Sequence, residues 1–258
     1  MDFEEPSNLI LTNDLDSHWS CKIGEQVKGY KINYFYDFSK VYRINESALT
    51  PVGMDVSLCK GRCWDNHVAV FNGLYNKQSA NINNLLGISR ENYTDKYALS
   101  TLLQLISYYK AIDFRSLTDE QKIGLWVIDS AYLGHYKKAF QKTHNEFIEI
   151  LELQELATVL DKYRLIDFER FKLTYNTNGE IWITSDGTLE TDIDLDGLQK
   201  IYLNVDLSLP TEKFSLFKEY GEPVELDVSK RAIYRPKGTI VSIAYTRKNI
   251  VKYTPAVV

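Results

Sequence analysis

Three cysteines and two of the four histidines lie within the first 67 of 258 residues, at spacings that could hold a metal. His18-Trp19-Ser20-Cys21 supplies one pair, and Cys59-Lys60-Gly61-Arg62-Cys63 a second, with His67 four positions further on. Two ligands a few residues apart can turn back on one tetrahedral Zn²⁺, and two such pairs close a structural site. The expected metal set is therefore His18, Cys21, Cys59 and Cys63, with structural zinc the one cofactor foreseen. The competing expectation is simpler. Free cysteines are among the residues most often buried, and a Cys-x3-Cys spacing is less typical of zinc than Cys-x2-Cys.

Two further patterns could do chemistry. Cys63-Trp64-Asp65-Asn66-His67 opens a helix or strand with the apolar run Val68 to Phe71, and a thiol at a helix start would be acidified. His135 or His144 could then serve as its base, although nothing local brings those groups together. Asp192-Ile193-Asp194-Leu195-Asp196-Gly197 matches the first half of a calcium loop. Leu203 stands where the bidentate Glu belongs, and the alternation of Ile193 and Leu195 with the acids fits a strand better. Phosphate-binding glycine loops, the G-x-S-x-G elbow and H-E-x-x-H are absent, which removes the commonest nucleotide-dependent, serine-hydrolase and zinc-protease readings. Scattered paired carboxylates need no local motif, so they remain open as a catalytic device.

The elements that must position such groups divide into three zones. Residues 26–45 favour strands, through Val27, Tyr30, Ile32, Tyr34 and Tyr36. Residues 46–76 are broken by Pro51, Gly53, Gly61 and Gly73 into short strands and loops. From 78 to 164 there is no proline and the apolar period is helical. Thr94 reads as an N-cap there, Thr118 with Gln121 as a capping box, and 136–163 as one long helix. The remainder reads as β. Asn178-Gly179, Asp186-Gly187 and Asp196-Gly197 suit two-residue hairpin turns between strands at 171–175, 181–184, 189–195 and 201–205. Further strands are expected at 224–228, 233–234, 240–245 and 250–253, with Pro236-Lys237-Gly238 a turn. The expected fold is α+β: a β-rich N-terminal part over 1–77, a central antiparallel helical bundle over 78–166, and a C-terminal antiparallel β-meander or sandwich over 167–258.

Composition bounds the partners. Hydrophobic residues make up 44% and charged residues 25%, and no apolar stretch approaches the ~20 residues that span a bilayer, so the class is soluble and globular. A net charge of -5 argues against general nucleic-acid binding. The N-terminus carries no secretory pattern and three cysteines make no disulfide framework, so an intracellular or cytoplasmic location, or the inside of a virion, is expected. Eighteen tyrosines suit half-buried contact surfaces. Residues 180–227 carry a local charge of -9, and residues 229–258 carry +7. Together these point to a non-enzymatic interaction or assembly protein, a structural component of a phage or viral particle, docking on protein subunits through its C-terminal β domain. No catalytic residue is assigned on that reading. A bacterial immunity-type binding protein is one alternative. A hydrolase using a cysteine or carboxylate site is the other.

Overall fold

The run Asn8–Leu11 (β1) is apolar on both faces, as a strand inside a parallel sheet must be, with Leu9 and Leu11 fully buried. Asp14 then caps the helix Leu15–Lys28 (α1), accepting a hydrogen bond from the Ser17 amide at 2.9 Å. Gly29 ends that helix at φ 68°, where only glycine is unstrained, and returns the chain into Lys31–Tyr36 (β2). Lys40–Arg43 (β3) follows as a hairpin, then Pro51–Met54 (β4), Arg62–Trp64 (β5) and Ser79–Ala80 (β6). This is a computed structural model, describing residues 6–71, 73, 75–229 and 238–257.

A helical layer comes next. It consists of Ile82–Leu85 (α2), Thr101–Tyr109 (α3), Asp119–Val127 (α4), Leu133–Tyr136 (α5), Gln141–Ile150 (α6), Gln154–Lys162 (α7) and Leu165–Tyr175 (α8). A short hairpin, Ile181–Ile183 (β7) and Leu189–Thr191 (β8), precedes Leu195–Ile201 (α9). Ser215–Glu219 (β9), Val224–Asp227 (β10), Ile240–Arg247 (β11) and Ile250–Pro255 (β12) complete the described chain. The protein is α+β, with an N-terminal sheet, central helices and C-terminal antiparallel strands. Among the described residues no helix is long and apolar enough to cross a membrane.

Seven strands form one sheet in the order β6-β5-β4-β1-β2-β3-β9. From β6 to β2 the pairs are parallel, and β3 and β9 add antiparallel pairs at one edge. The chain leaves β1 towards β2 on one side and later towards β4 on the other. In open sheets such a reversal of strand order leaves a crevice beyond the strands' carboxyl ends, where ligands bind. One core runs from Leu9 to Phe214, so α1, α3, α4 and α8 pack as a continuation of the sheet's own core. The three-stranded sheet β10-β12-β11 has a smaller core of its own, with Ile243, Tyr245 and Val251. It is tied to the loops that follow β4 and β5 by the bridges Leu58↔Ser242 and Val68↔Tyr245.

Several local expectations change. Residues 15–28 are helical although the N-terminal part reads as strands and loops, because α1 is buried between strand and helix layers and needs no strong amphipathic stripe. The capping box of Thr118 and Gln121 is present, and the Asp186-Gly187 turn joins β7 to β8, with Gly187 at φ 91°. Thr94 instead lies in a 3₁₀ turn, and Ser100 caps α3. The long helix of 136–163 is split into α5, α6 and α7, the last break lying at Glu152, which is left-handed at φ 54°. Residues 171–175 belong to α8 and Asp196-Gly197 to α9, so neither is part of a meander. Phe168 and Phe171, three residues apart, both face the core, which is helical spacing hidden beneath β-favouring residue types. The strand expected at 233–234 and Pro236-Lys237 of the following turn lie outside the described residues.

Candidate metal centre

At the carboxyl ends of the parallel strands, acids from four separate segments converge. Asp14 and Asp16 follow β1, Asp55 is the first residue after β4, and Asp65 and His67 follow β5. Asp129 arrives from the turn after α4. Ligand atoms of Asp16, Asp55 and Asp129 lie within 4.8 Å of one another, as do those of Asp55, Asp65 and His67. Asp55 belongs to both groups.

Each residue is held by a defined partner. Both Asp16 oxygens accept backbone N–H groups of the first turn of α3, from Thr101 and Leu102, each at 2.7 Å. Asp55 accepts from the Thr101 hydroxyl at 2.6 Å. Asp65 is wholly buried and accepts from Ser57 Oγ and Asn81 Nδ2, both at 2.6 Å. Its other oxygen lies 2.8 Å from His67 Nδ1, which leaves Nε2 as the nitrogen that could ligate. A carboxylate behind an imidazole in this way fixes the tautomer and sharpens the ring as a metal ligand. Asn66 Nδ2 donates to Asp129 at 2.6 Å and to the Leu99 carbonyl at 3.0 Å. Ser17 ties the frame together, donating to the Met54 carbonyl and accepting from the Thr12 amide.

The site is tense electrically and conformationally. Burial, and then the neighbouring Asp129, push the Asp14 carboxyl up to about 6. Burial with the nearby Asp55 holds Asp16 well above the ordinary range, and burial with Asp14 and Asp129 does the same for Asp55. Burial alone would lower His67, but the Asp65 hydrogen bond and the surrounding carboxylates outweigh it and raise the imidazole to about 10. Asp55, Asp129 and Ser130 all have left-handed backbone, at φ 54°, 52° and 56°. Such strain in non-glycine residues costs about 1–3 kcal/mol each and gathers where function needs it. Like charges crowded at one place are what a bound cation would offset.

Two cavities open on this cluster. One of about 500 Å³ is lined by Asp129, Lys96, Tyr93 and Phe140. The other, about 380 Å³, is lined by Asp14, Asp55, His67 and Lys252. Thr246 of β11 lines both, so the C-terminal sheet roofs the centre.

The zinc ligands expected from the sequence are placed elsewhere. His18 and Cys21 sit buried in α1, where His18 Nε2 meets the Leu207 carbonyl at 2.9 Å and burial lowers the ring to about 4. Cys59 is half-buried, and Cys63 is buried in β5 with its thiol pushed up to about 12. Neither three-ligand group found among the described residues includes any of the four. The same burial corrects the nucleophile expectation, since Cys63 is held as a neutral thiol in a strand rather than acidified at a helix start. His144 is buried in α6 on the face of Phe147, bonded to the Ala131 carbonyl at 3.0 Å. His135 lies 3.6 Å from Asp161. Of the calcium-like acids, Asp194 caps α9 and Asp192 accepts the Glu180 amide.

The residues missed by sequence reasoning are Asp14, Asp16, Asp55 and Asp129. A signal was present for three of them. Each stands one to five residues beyond a short apolar run, Leu9–Leu11 or Val52–Met54, and Cys63-Trp64 precedes Asp65 in the same manner. Parallel strands whose carboxyl ends carry a site produce that pattern. No family model matches the chain, and no match is found among curated proteins or solved structures.

Proposed function

We propose that this chain is a hydrolase that uses two divalent cations to cleave a phosphoester bond. The observation carrying this reading is Asp55, which lies within 4.8 Å of Asp16 and Asp129 in one group and of His67 with its supporting Asp65 in the other, so that it could serve two ions. Carboxylates with one imidazole form a hard donor set suited to Mn²⁺ or Mg²⁺ and lacking the thiolates of structural zinc. Two such cations, when bound, polarise a water and neutralise charge on the attacking and departing oxygens of an in-line displacement. Asp16, fixed by two amides, and His67, fixed by Asp65, would be among the residues holding the ions. The lysines of the two cavities favour an anionic substrate over a peptide. This takes up the carboxylate-hydrolase alternative in preference to the assembly role, because tyrosine content and charge separation do not account for strained, mutually repelling carboxylates at strand ends.

The test is a calorimetric titration with Mn²⁺, paired with hydrolysis of bis(p-nitrophenyl) phosphate. Two Mn²⁺ per chain and chelator-sensitive turnover are expected. Absence of Mn²⁺ binding, or turnover that survives Asp55→Asn, would sink the reading.

A further inference from the structure

Lys96 is the charged group closest in kind to what the centre lacks. It lines the larger cavity together with Asp129, half-buried, with Nζ 4.9 Å from the centre of the Tyr93 ring. Other lysines in comparable surroundings are neutralised: Lys22 pairs with Glu25 at 3.3 Å and Lys122 with Glu155 at 2.6 Å. Lys96 forms no ion pair among the described residues. Burial lowers its pKa, and the charge of Asp129 opposes that shift, so the two groups sense one another across the cavity. A desolvated cation without a partner is costly and normally acquires an anion.

Its position is also built into the frame of the centre. Asn83, fully buried, donates from Nδ2 to the Asn66 carbonyl at 2.7 Å and to the Tyr97 carbonyl at 3.1 Å. Asn83 Oδ1 accepts the Tyr97 amide at 2.8 Å. One side chain thus clamps the residue after Lys96 to the residue before His67. The aromatic platform is anchored as well, since the Tyr93 hydroxyl donates to the Tyr245 carbonyl of β11 at 3.3 Å. By contrast Lys137, the other lysine of this cavity, is exposed.

We infer, resting on the hydrolase reading above, that Lys96 binds the phosphoryl group of the substrate directly, as a third positive charge beside the two cations. It keeps its proton throughout. The water oxygen bonds to phosphorus as the bond to the departing oxygen breaks. The proton released by water passes to that oxygen or to solvent, while Lys96 steadies the negative charge gathering on the phosphoryl oxygens. An ammonium held over an aromatic face is preorganised for this, and the apolar walls of the cavity strengthen its field.

Lys96→Met keeps the side chain's length and apolar stem, and Lys96→Arg keeps the charge. Each is compared with wild type in Mn²⁺ affinity, in affinity for inorganic phosphate at saturating Mn²⁺, and in turnover of bis(p-nitrophenyl) phosphate. Lys96→Met should leave Mn²⁺ affinity within about twofold, weaken phosphate at least ~10-fold and lower kcat/KM about 100-fold, the scale of losing one preorganised charge contact. Lys96→Arg should recover most of both losses. Phosphate binding and turnover of Lys96→Met within twofold of wild type overturn the assignment and leave the hydrolase reading standing. Loss of Mn²⁺ affinity in Lys96→Met also overturns it, because Lys96 would then be a prop for the ligands. A wild type that binds no Mn²⁺, or binds Mn²⁺ but neither phosphate nor diester, overturns the assignment; the first of these overturns the hydrolase reading with it.

Discussion

Two acidic regions of the molecule behave in opposite ways. The acid-rich stretch 180–227 is dense along the chain but relaxed in space. Asp186, at the β7–β8 turn, accepts from the hydroxyls of Thr184 and Thr188 and from Lys213, and these bonds, Thr184 first, hold its carboxyl well below the usual range. Asp192 and Asp194 are likewise spent on the hairpin and on the cap of α9. Asp14 and Asp16, Asp55, and Asp129 come from separate segments of the chain, yet crowd one crevice, where burial and the neighbouring carboxylates raise the proton affinity of Asp14, Asp16 and Asp55. Acid density in sequence marks solvated turns here. Acid density in space, at strand ends, leaves carboxylates buried against one another.

The largest contrast is expected from removing the shared ligand. Asp55→Asn keeps an oxygen for the Thr101 hydroxyl but cannot bridge two cations. Hydrolysis should fall by at least ~10²-fold, beyond the 10- to 100-fold that losing a supporting partner costs. The metal-free variant should melt no lower than metal-free wild type, since a buried like charge has gone. Calorimetry and activity assays check both, and a clearly lower melting temperature would break the contrast between tense and relaxed acids.

Asp65→Asn comes next, because it removes the carboxylate that orients His67. Metal affinity should drop about 10- to 100-fold while the chain stays folded, read by Mn²⁺ titration.

The third test is pH. Well below about pH 4, Asp14 is protonated in both folded and unfolded chains. As pH rises through its folded value of about 6, the unfolded chain ionises freely while the folded one must ionise against its neighbours, so metal-free stability declines across that interval. Asp16 and Asp55, raised in the same direction, extend the decline upward. Saturating Mn²⁺ should abolish it, adding about 2.7 kcal/mol per ion at 100-fold excess over Kd. Melting curves at several pH values, with and without Mn²⁺, measure this.

The smallest effect is expected from Asp186→Asn. Its bonds are exposed and screened, so stability should fall less than for any change at the centre, with Mn²⁺ affinity unaltered. A Mn²⁺ affinity that moved with Asp186 would mean that the two regions are coupled.

Much of the local architecture was legible. The capping box at Thr118 and Gln121 and the Asp-Gly turn at 186–187 are short-range devices, written in residues that touch each other along the chain. The helical period of the middle zone and the α+β class follow from the same kind of signal. The pentapeptide Cys63 to His67, chemically marked in the sequence by its thiol, belongs to the candidate centre through Asp65 and His67 instead. Its cysteine points into the core.

What the sequence alone determined was therefore the set of local elements and the balance of apolar and charged residues. Which of 35 acids would meet was decided only by tertiary structure. Convergence depends on β1, β4 and β5 lying side by side and parallel, and on the α4 turn swinging Asp129 over their ends. Strand order is a long-range property, set by which apolar faces bury together and by the crossover through α1. No residue spacing records it, because Asp16 and Asp129, which meet Asp55 in one of its two groups, lie 39 residues before it and 74 after it along the chain. The repulsion among those carboxylates exists only once the fold has brought them together. It is the fold's larger burial, from Leu9 to Phe214, that holds them there.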